Sequence, residues 1–112
     1  MTEHPTLNNT RLYAAVAALV TGNSNLKKRL CTACEILQPI RANVELSKAL
    51  ALRLQKLIEE ASSKGPETNP NGQVTRGSFE MTLKNKHIKT CEKLAKEILH
   101  IYLLDNQEKD RR

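Results

Sequence analysis

Four side chains have the types and spacings of a metal site. Cys31 and Cys34 are three residues apart, and His87 and Cys91 are four apart. In helices, either spacing places both side chains on one side, so two facing helices could surround a tetrahedral Zn²⁺. A single CxxC is a common pattern, however, and the turn residues of zinc knuckles are missing. We favour buried thiols, because free cysteine is among the most buried residue types, and keep the metal site as the alternative.

The sequence contains no pattern typical of catalysis. It has no P-loop, GxGxxG, nucleophile elbow or HExxH motif. Glu59 and Glu60 are adjacent, so their carboxylates diverge by one helical step and form no dyad. A redox-active CxxC would need a βαβ context that is absent here. We therefore expect a protein that is not an enzyme and needs no cofactor.

Basic residues form one row on a helical wheel. The chain carries 18 Lys and Arg against 12 Asp and Glu, a formal net charge of +6. At ~100° per residue, a narrow arc of the last helix collects five basic residues: Lys86, Lys89, Lys93, Lys96 and His100. Glu92 and Glu97 lie only at its margins. Like charges at this spacing repel by a few tenths of a kcal/mol per pair, so the row opposes folding slightly.

A second basic cluster, Lys27, Lys28 and Arg29, falls in the first turn of the second predicted helix. Cations at a helix N-terminus oppose the helix dipole at a cost of ~0.3–1 kcal/mol each. A bound anion, such as a phosphate, would use both these cations and the free backbone N–H groups. The pattern therefore predicts an anionic partner.

Taken together, the clusters predict binding to the phosphate backbone of nucleic acid. The binding residues would be Lys27, Lys28, Arg29, Lys86, Lys89, Lys93 and Lys96. Aromatic side chains for stacking on single strands are not interleaved with them, which favours duplex RNA or DNA. The alternative is a protein–protein adaptor or regulator that binds an acidic protein surface. Leu52, with Val44 and the Ala-rich first helix, would then form the partner contact or a homodimer interface.

Length and composition predict one all-α domain spanning residues 1–112, folded as a compact four-helix bundle. Apolar periodicity and capping residues place the helices at about 10–21, from Ser24 or Asn25 to before Pro39, 43–63 and 78–105. The Gly- and Pro-rich segment 65–77 predicts a long mobile loop between helices three and four. We expect frayed termini over residues 1–8 and 106–112.

The same periodicity predicts which residues form the core. The predicted apolar arc of the fourth helix contains Ile88, Cys91, Leu94, Ala95, Ile98, Leu99 and Tyr102.

The odd number of cysteines favours a reducing compartment, and the N-terminal residues do not resemble a signal peptide. No apolar run is long enough for a membrane span. We therefore expect a cytoplasmic or nuclear protein that is not associated with a membrane.

Overall fold

The described residues form five helices and one small β-hairpin. The computed structural model describes the backbone of residues 7–40 and 46–110 and the side chains of residues 11–40 and 46–110. The elements are α1 (Leu7–Thr21), α2 (Leu26–Leu37), α3 (Lys48–Ala61), β1 (Glu67–Thr68), β2 (Val74–Arg76), α4 (Ser78–Leu83) and α5 (Ile88–Asp110). The prediction of an all-α fold is confirmed.

The longer helices pack in antiparallel pairs. A guanidinium N–H of Arg11 donates to the carbonyl of Ile36, and Arg29 donates to the carbonyl of Leu19, so α1 and α2 run in opposite directions. Ser47 lies beside Glu108, and Arg53 lies beside Glu97. Helix α3 is therefore antiparallel to α5. The core between them is built mainly of Leu and Ile from every helix, including Leu12, Leu30, Leu54, Leu83 and Ile98.

Side-chain caps determine where two helices begin. The side chain of Asn25 accepts a hydrogen bond from the N–H of Lys28. Asn25 is thus the N-cap of α2, and it is one of the two residues that the sequence predicted for this position. Ser47 caps α3 in the same way through the N–H of Leu50. Asn43, which we predicted as the cap of the third helix, lies outside the described residues. Such a cap satisfies a helix N–H that otherwise has no partner.

The predicted fourth helix is in fact two helices, so the prediction of a four-helix bundle was wrong in its number of helices. The chain turns between Leu83 and Ile88, where the N–H groups of Asn85 and Lys86 bond three residues back. The Asn85 side chain donates to the carbonyl of Met81. One straight helix would place Met81 and Thr82 on the exposed side. The turn instead allows both side chains to be buried.

A β-hairpin lies where we predicted a long mobile loop. Strands β1 and β2 pair antiparallel around a turn in which Gly72 has a φ of 80°. The Asn69 side chain accepts hydrogen bonds from the N–H groups of Asn71 and Gln73. Both strands are fully exposed. The prediction considered only apolar burial, whereas this segment is ordered by turn hydrogen bonds.

Both ends of the described chain are more helical than predicted. Helix α1 already includes Leu7, and α5 continues to Asp110. Asp105 is buried and forms an ion pair with Lys109, with 3.0 Å between the charged atoms. These contacts extend α5 through residues 106–110, where we predicted fraying.

The buried side of α5 is rotated from the predicted arc. Ile101 is fully buried, although the predicted arc did not include it. Ile88 and Leu99 belong to that arc but are 45% and 42% exposed. The cause is the position of α3, which packs against the side of α5 that carries Glu97. Arg53 of α3 contacts Glu97 there, so this side of α5 faces another helix. Apolar residues on the opposite margin of the arc are left at the surface.

Candidate nucleic-acid interface

A row of basic side chains lies along the exposed side of α5. Lys89, Lys93, Lys96 and His100 are spaced by four, three and four residues, which keeps them on one face of the helix. All four are exposed, whereas Cys91, Leu94 and Ile98 of the same helix are buried. The predicted separation of α5 into a basic and an apolar side is confirmed for these residues. We call Lys89, Lys93, Lys96 and His100 the α5 basic row.

Lys86, the fifth residue of the predicted row, is not part of the helix. It lies in the turn between α4 and α5 and is half-buried. Together with Lys27 it acts on the thiol of Cys91, where both positive charges oppose the increase in pKa that burial causes. Lys86 and Lys27 are therefore near each other at the N-terminal end of α5.

Among the described residues, no carboxylate forms an ion pair with a lysine of the α5 basic row. Glu97 is at the margin of the row, but its two oxygens accept hydrogen bonds of 2.7 and 2.8 Å from Arg53 of α3. These bonds hold the pKa of Glu97 below its usual value. The acid best placed to pair with Lys93 is thus engaged by another helix.

Two of the three cations in the first turn of α2 bind backbone carbonyls of neighbouring helices. The ammonium of Lys27 donates to the carbonyl of Lys84, the C-cap of α4, at 3.1 Å. The guanidinium of Arg29 donates to the carbonyl of Ser24 at 3.0 Å and to that of Leu19 near the end of α1. Cations at helix C-termini satisfy free carbonyls and complement the negative end of the dipole.

This arrangement changes the interpretation of the first turn of α2. The sequence predicted that these cations oppose the dipole of α2 and that an anionic partner binds them. Because α1 and α4 end beside this turn, Lys27 and Arg29 stabilise those ends instead. The N-terminus of α2 is itself capped by Asn25. Of the three, Lys28 alone is exposed and makes no side-chain contact with a described residue.

Gly22 allows Arg29 to approach the end of α1. A Cβ at this position would lie 2.8 Å from Cγ and 2.9 Å from Cδ of Arg29, and 3.1 Å from the carbonyl oxygen of Ala18. Distances below 3.0 Å require a shift of one group. The sequence indicated Gly22 as the stop of the first helix, and the structure adds this close contact with the stem of Arg29.

Two clefts bring further cations near the predicted ones. A cleft of about 480 Å³ between α2 and α4 is lined by Lys27, Lys28, Lys84 and one acid, Glu80. A groove of about 300 Å³ between α3 and α5, which two acids, Glu60 and Glu97, also line, brings Lys56 to the same depression as Lys93. Lys84 and Lys56 were not among the predicted binding residues. The sequence could have indicated Lys84 as a binding residue, because it begins the basic run that contains Lys86 and Lys89. The position of Lys56 beside Lys93 depends on helix packing.

The cysteines and His87 do not form a metal centre in the described part of the chain. There, no three His, Cys, Asp or Glu side chains are placed to hold a metal ion. Cys34 and Cys91 are fully buried, and Cys31 lies 3.9 Å from a carboxylate oxygen of Glu35. Burial, with help from Glu35, raises the pKa of Cys31 to about 11, and burial raises that of Cys34 to about 12. These thiols stay protonated at neutral pH, and metals bind thiolates.

Leu52, the residue on which the adaptor alternative depends, is 54% exposed on α3, as predicted. Val44, proposed to act with it, lies outside the described residues.

Comparison of this chain with protein-family models, with curated proteins and with solved structures finds no match. Of the helices in the described ranges, none is both long and apolar enough to cross a membrane.

Proposed function

We propose that this protein binds the phosphate backbone of duplex nucleic acid, RNA or DNA, through the α5 basic row, in the cytoplasm or nucleus and without catalysing a reaction. The observation that carries the proposal is the absence of any ion pair to the lysines of this row among the described residues. Exposed lysines that form no ion pair create a positive potential that attracts a polyanion.

The dimensions of the row suit a duplex. From residue 89 to residue 100 it extends for ~16 Å, at 1.5 Å per residue. A duplex presents about one phosphate per 1.7 Å of its axis, so roughly ten phosphates lie along this length. Lys28 and Lys84 add cations at the N-terminal end of α5, because the Lys27–Lys84 hydrogen bond joins α2 to the end of α4. Lys56 adds one beside Lys93.

Lysine contacts to phosphate do not select a base sequence. An ammonium is a flexible point charge, whereas base recognition requires planar or bidentate groups in a groove. Phe79 is buried, and the rings of Tyr13 and Tyr102 contact each other at the seam of α1 and α5. None of the three aromatic residues stands in the row to stack on unpaired bases. We therefore expect binding by charge and shape, with duplexes preferred over single strands.

The test measures affinity for fluorescent 20-base-pair RNA and DNA by anisotropy, at 50 and 200 mM salt. The variant Lys89→Glu with Lys93→Glu should bind about tenfold or more weakly at low salt. The slope of log K against log salt should become shallower by about 1.8, because each lost phosphate contact contributes ~0.9. Circular dichroism should show unchanged helix content, since both side chains are exposed.

The matched control is Lys48→Glu with Lys64→Glu, two exposed lysines outside the row. Each double variant replaces two positive by two negative charges and so lowers the net charge from +6 to +2. The proposal requires the control to bind far better than the row variant. Equal losses, or a duplex affinity that salt does not reduce, would contradict it.

The adaptor alternative also has an observation in its favour, an exposed apolar surface on α1 and α5. That surface is distinct from Leu52, on which the sequence argument for an adaptor depended. A homodimer formed through Leu52 stays a prediction.

A further inference from the structure

An apolar surface crosses the seam between α1 and α5, beside the α5 basic row. Leu99 and Leu103 are 42% and 46% exposed, and their spacing of four residues places them on one face of α5. Tyr102 lies one turn after Leu99, and its ring centroid is 6.4 Å from that of Tyr13 on α1. We call Tyr13, Leu99, Tyr102 and Leu103 the α1–α5 apolar surface.

Folding does not account for the exposed part of this surface. The core side of α5 is filled by Cys91, Leu94, Ile98 and Ile101, all at most 5% exposed. Tyr13 is 63% exposed, and its ring is tilted by 49° relative to that of Tyr102. Val20 is 71% exposed, and seven residues separate it from Tyr13, so it extends the same face of α1. Single exposed apolar residues are normal, but a contiguous group indicates an interaction site.

The long edge of the surface on α5 carries positive charge, and the described residues place no acid along either long edge. Lys96 precedes Leu103 by seven residues and therefore shares its face, and His100 lies next to both on the side of the basic row. On the other edge, α1 contains no Asp or Glu. Glu92 and Asp110 lie seven residues before Leu99 and after Leu103, about 10 Å beyond the two ends at 1.5 Å per residue.

We propose that the α1–α5 apolar surface binds an amphipathic helix of a partner protein, with Asp or Glu flanking the apolar stripe of that helix. Two adjacent helices form a seam into which a third helix can place residues at i, i+3, i+4 and i+7. An acidic flank would meet Lys96, which has no ion pair with a described residue. Complementary charge along the edge of an apolar contact selects the partner.

A second copy of this chain suits the surface less well. Each copy has a net charge of +6, and α1 of a second copy would offer no Asp or Glu to Lys96. Like charges placed opposite each other at an interface oppose association. This inference goes beyond nucleic-acid binding, because the side chains of Leu99 and Leu103 carry no donor for a phosphate.

The test selects ligands from a phage-displayed library of helical peptides, using the full-length protein as bait. Selected peptides should carry an apolar i, i+3, i+4, i+7 stripe flanked by Asp or Glu. Their affinity should fall about tenfold or more for Leu99→Ser with Leu103→Ser, since truncation of central apolar contacts has this effect at interfaces. The control, Leu52→Ser with Val74→Ser, replaces two exposed apolar residues elsewhere, which are 54% and 61% exposed, and should keep the affinity.

Three results would overturn the inference. Selected peptides without acidic flanks would remove its electrostatic basis. Equal binding by both double variants would place the peptides elsewhere on the protein. A dimer in sedimentation equilibrium that dissociates only in the Leu99 and Leu103 variant would assign the surface to a second copy. Duplex binding is measured in parallel and should survive in this variant, so the two proposals can fail independently.

Discussion

Replacement of Arg29 by Ala distinguishes two opposite roles for the cations at the start of α2. If these cations only oppose the dipole of α2, the removal of one should stabilise the fold by ~0.3–1 kcal/mol. The structure shows instead that Arg29 donates hydrogen bonds to the carbonyls of Ser24 and Leu19. Arg29→Ala should therefore destabilise the protein. The two interpretations predict opposite signs.

The magnitude follows from the contacts of Arg29. A hydrogen bond from a charged donor contributes about 1.5–3 kcal/mol, and the lower end applies here because the side chain is half-exposed. The favourable charge at the end of α1 and the unfavourable charge at the start of α2 are of similar size and largely cancel. Two such bonds then give a net loss of up to roughly 3 kcal/mol, a large share of the ~5–15 kcal/mol that stabilises a typical domain.

Urea unfolding followed by circular dichroism at 222 nm measures this loss. Lys28→Ala is the matched control, because it removes a neighbouring cation that has no carbonyl partner among the described residues. We expect Lys28→Ala to change the free energy of unfolding by at most about 0.5 kcal/mol. Arg29→Lys should fall between wild type and Arg29→Ala, because it keeps the charge and loses the fork of donors. An Arg29→Ala variant as stable as wild type would refute the reasoning.

Two further predictions concern pKa values. The pKa values of Cys31 and Cys34 are raised to about 11 and about 12, and Cys34 and Cys91 are buried. Iodoacetamide at pH 7.5 should therefore add at most one group to the native protein and three groups in urea, as measured by intact mass. Fast alkylation of native Cys34 would contradict this prediction. Arg53 holds the pKa of Glu97 below its usual 4.5, so the stability from this pair is complete above that pH and lost as pH falls through the lower, folded-state value. Glu97→Gln should be less stable than wild type at pH 7 by up to ~1 kcal/mol, and this gap should narrow at low pH in urea unfolding; a constant gap would argue against the ion pair.

The cations of this protein have different roles, which follow from the groups that they contact. Lys27 and Arg29 bind helix ends, and Arg53 engages Glu97. The α5 basic row has no such task among the described residues. Arg53 connects the cations that stabilise the fold with those of the α5 basic row. Its ion pair occupies Glu97, the acid best placed to pair with Lys93. Folding interactions on α3 thus leave the row positively charged.

The sequence alone predicted the features that depend on helical periodicity or on residues close together in the chain. The stripe of α3, from Leu50 through Leu54 and Leu57 to Ala61, is buried as predicted. The row from Lys89 to His100 is exposed as predicted. Asn25 and Gly22 mark helix ends, since caps and stops depend on residues close in sequence. These features follow from the 3.6-residue period and from side chains that bond their own backbone.

Only the tertiary structure decided which neighbours each side chain meets. The basic first turn of α2 looked costly in the sequence, because the ends of α1 and α4 that it stabilises come from distant parts of the chain. The boundary between core and surface on α5 depends on α3, which buries Ile101 and leaves Leu99 exposed. A helical wheel gives the order of residues around an axis, but the direction of the core is set by the helices that pack against it.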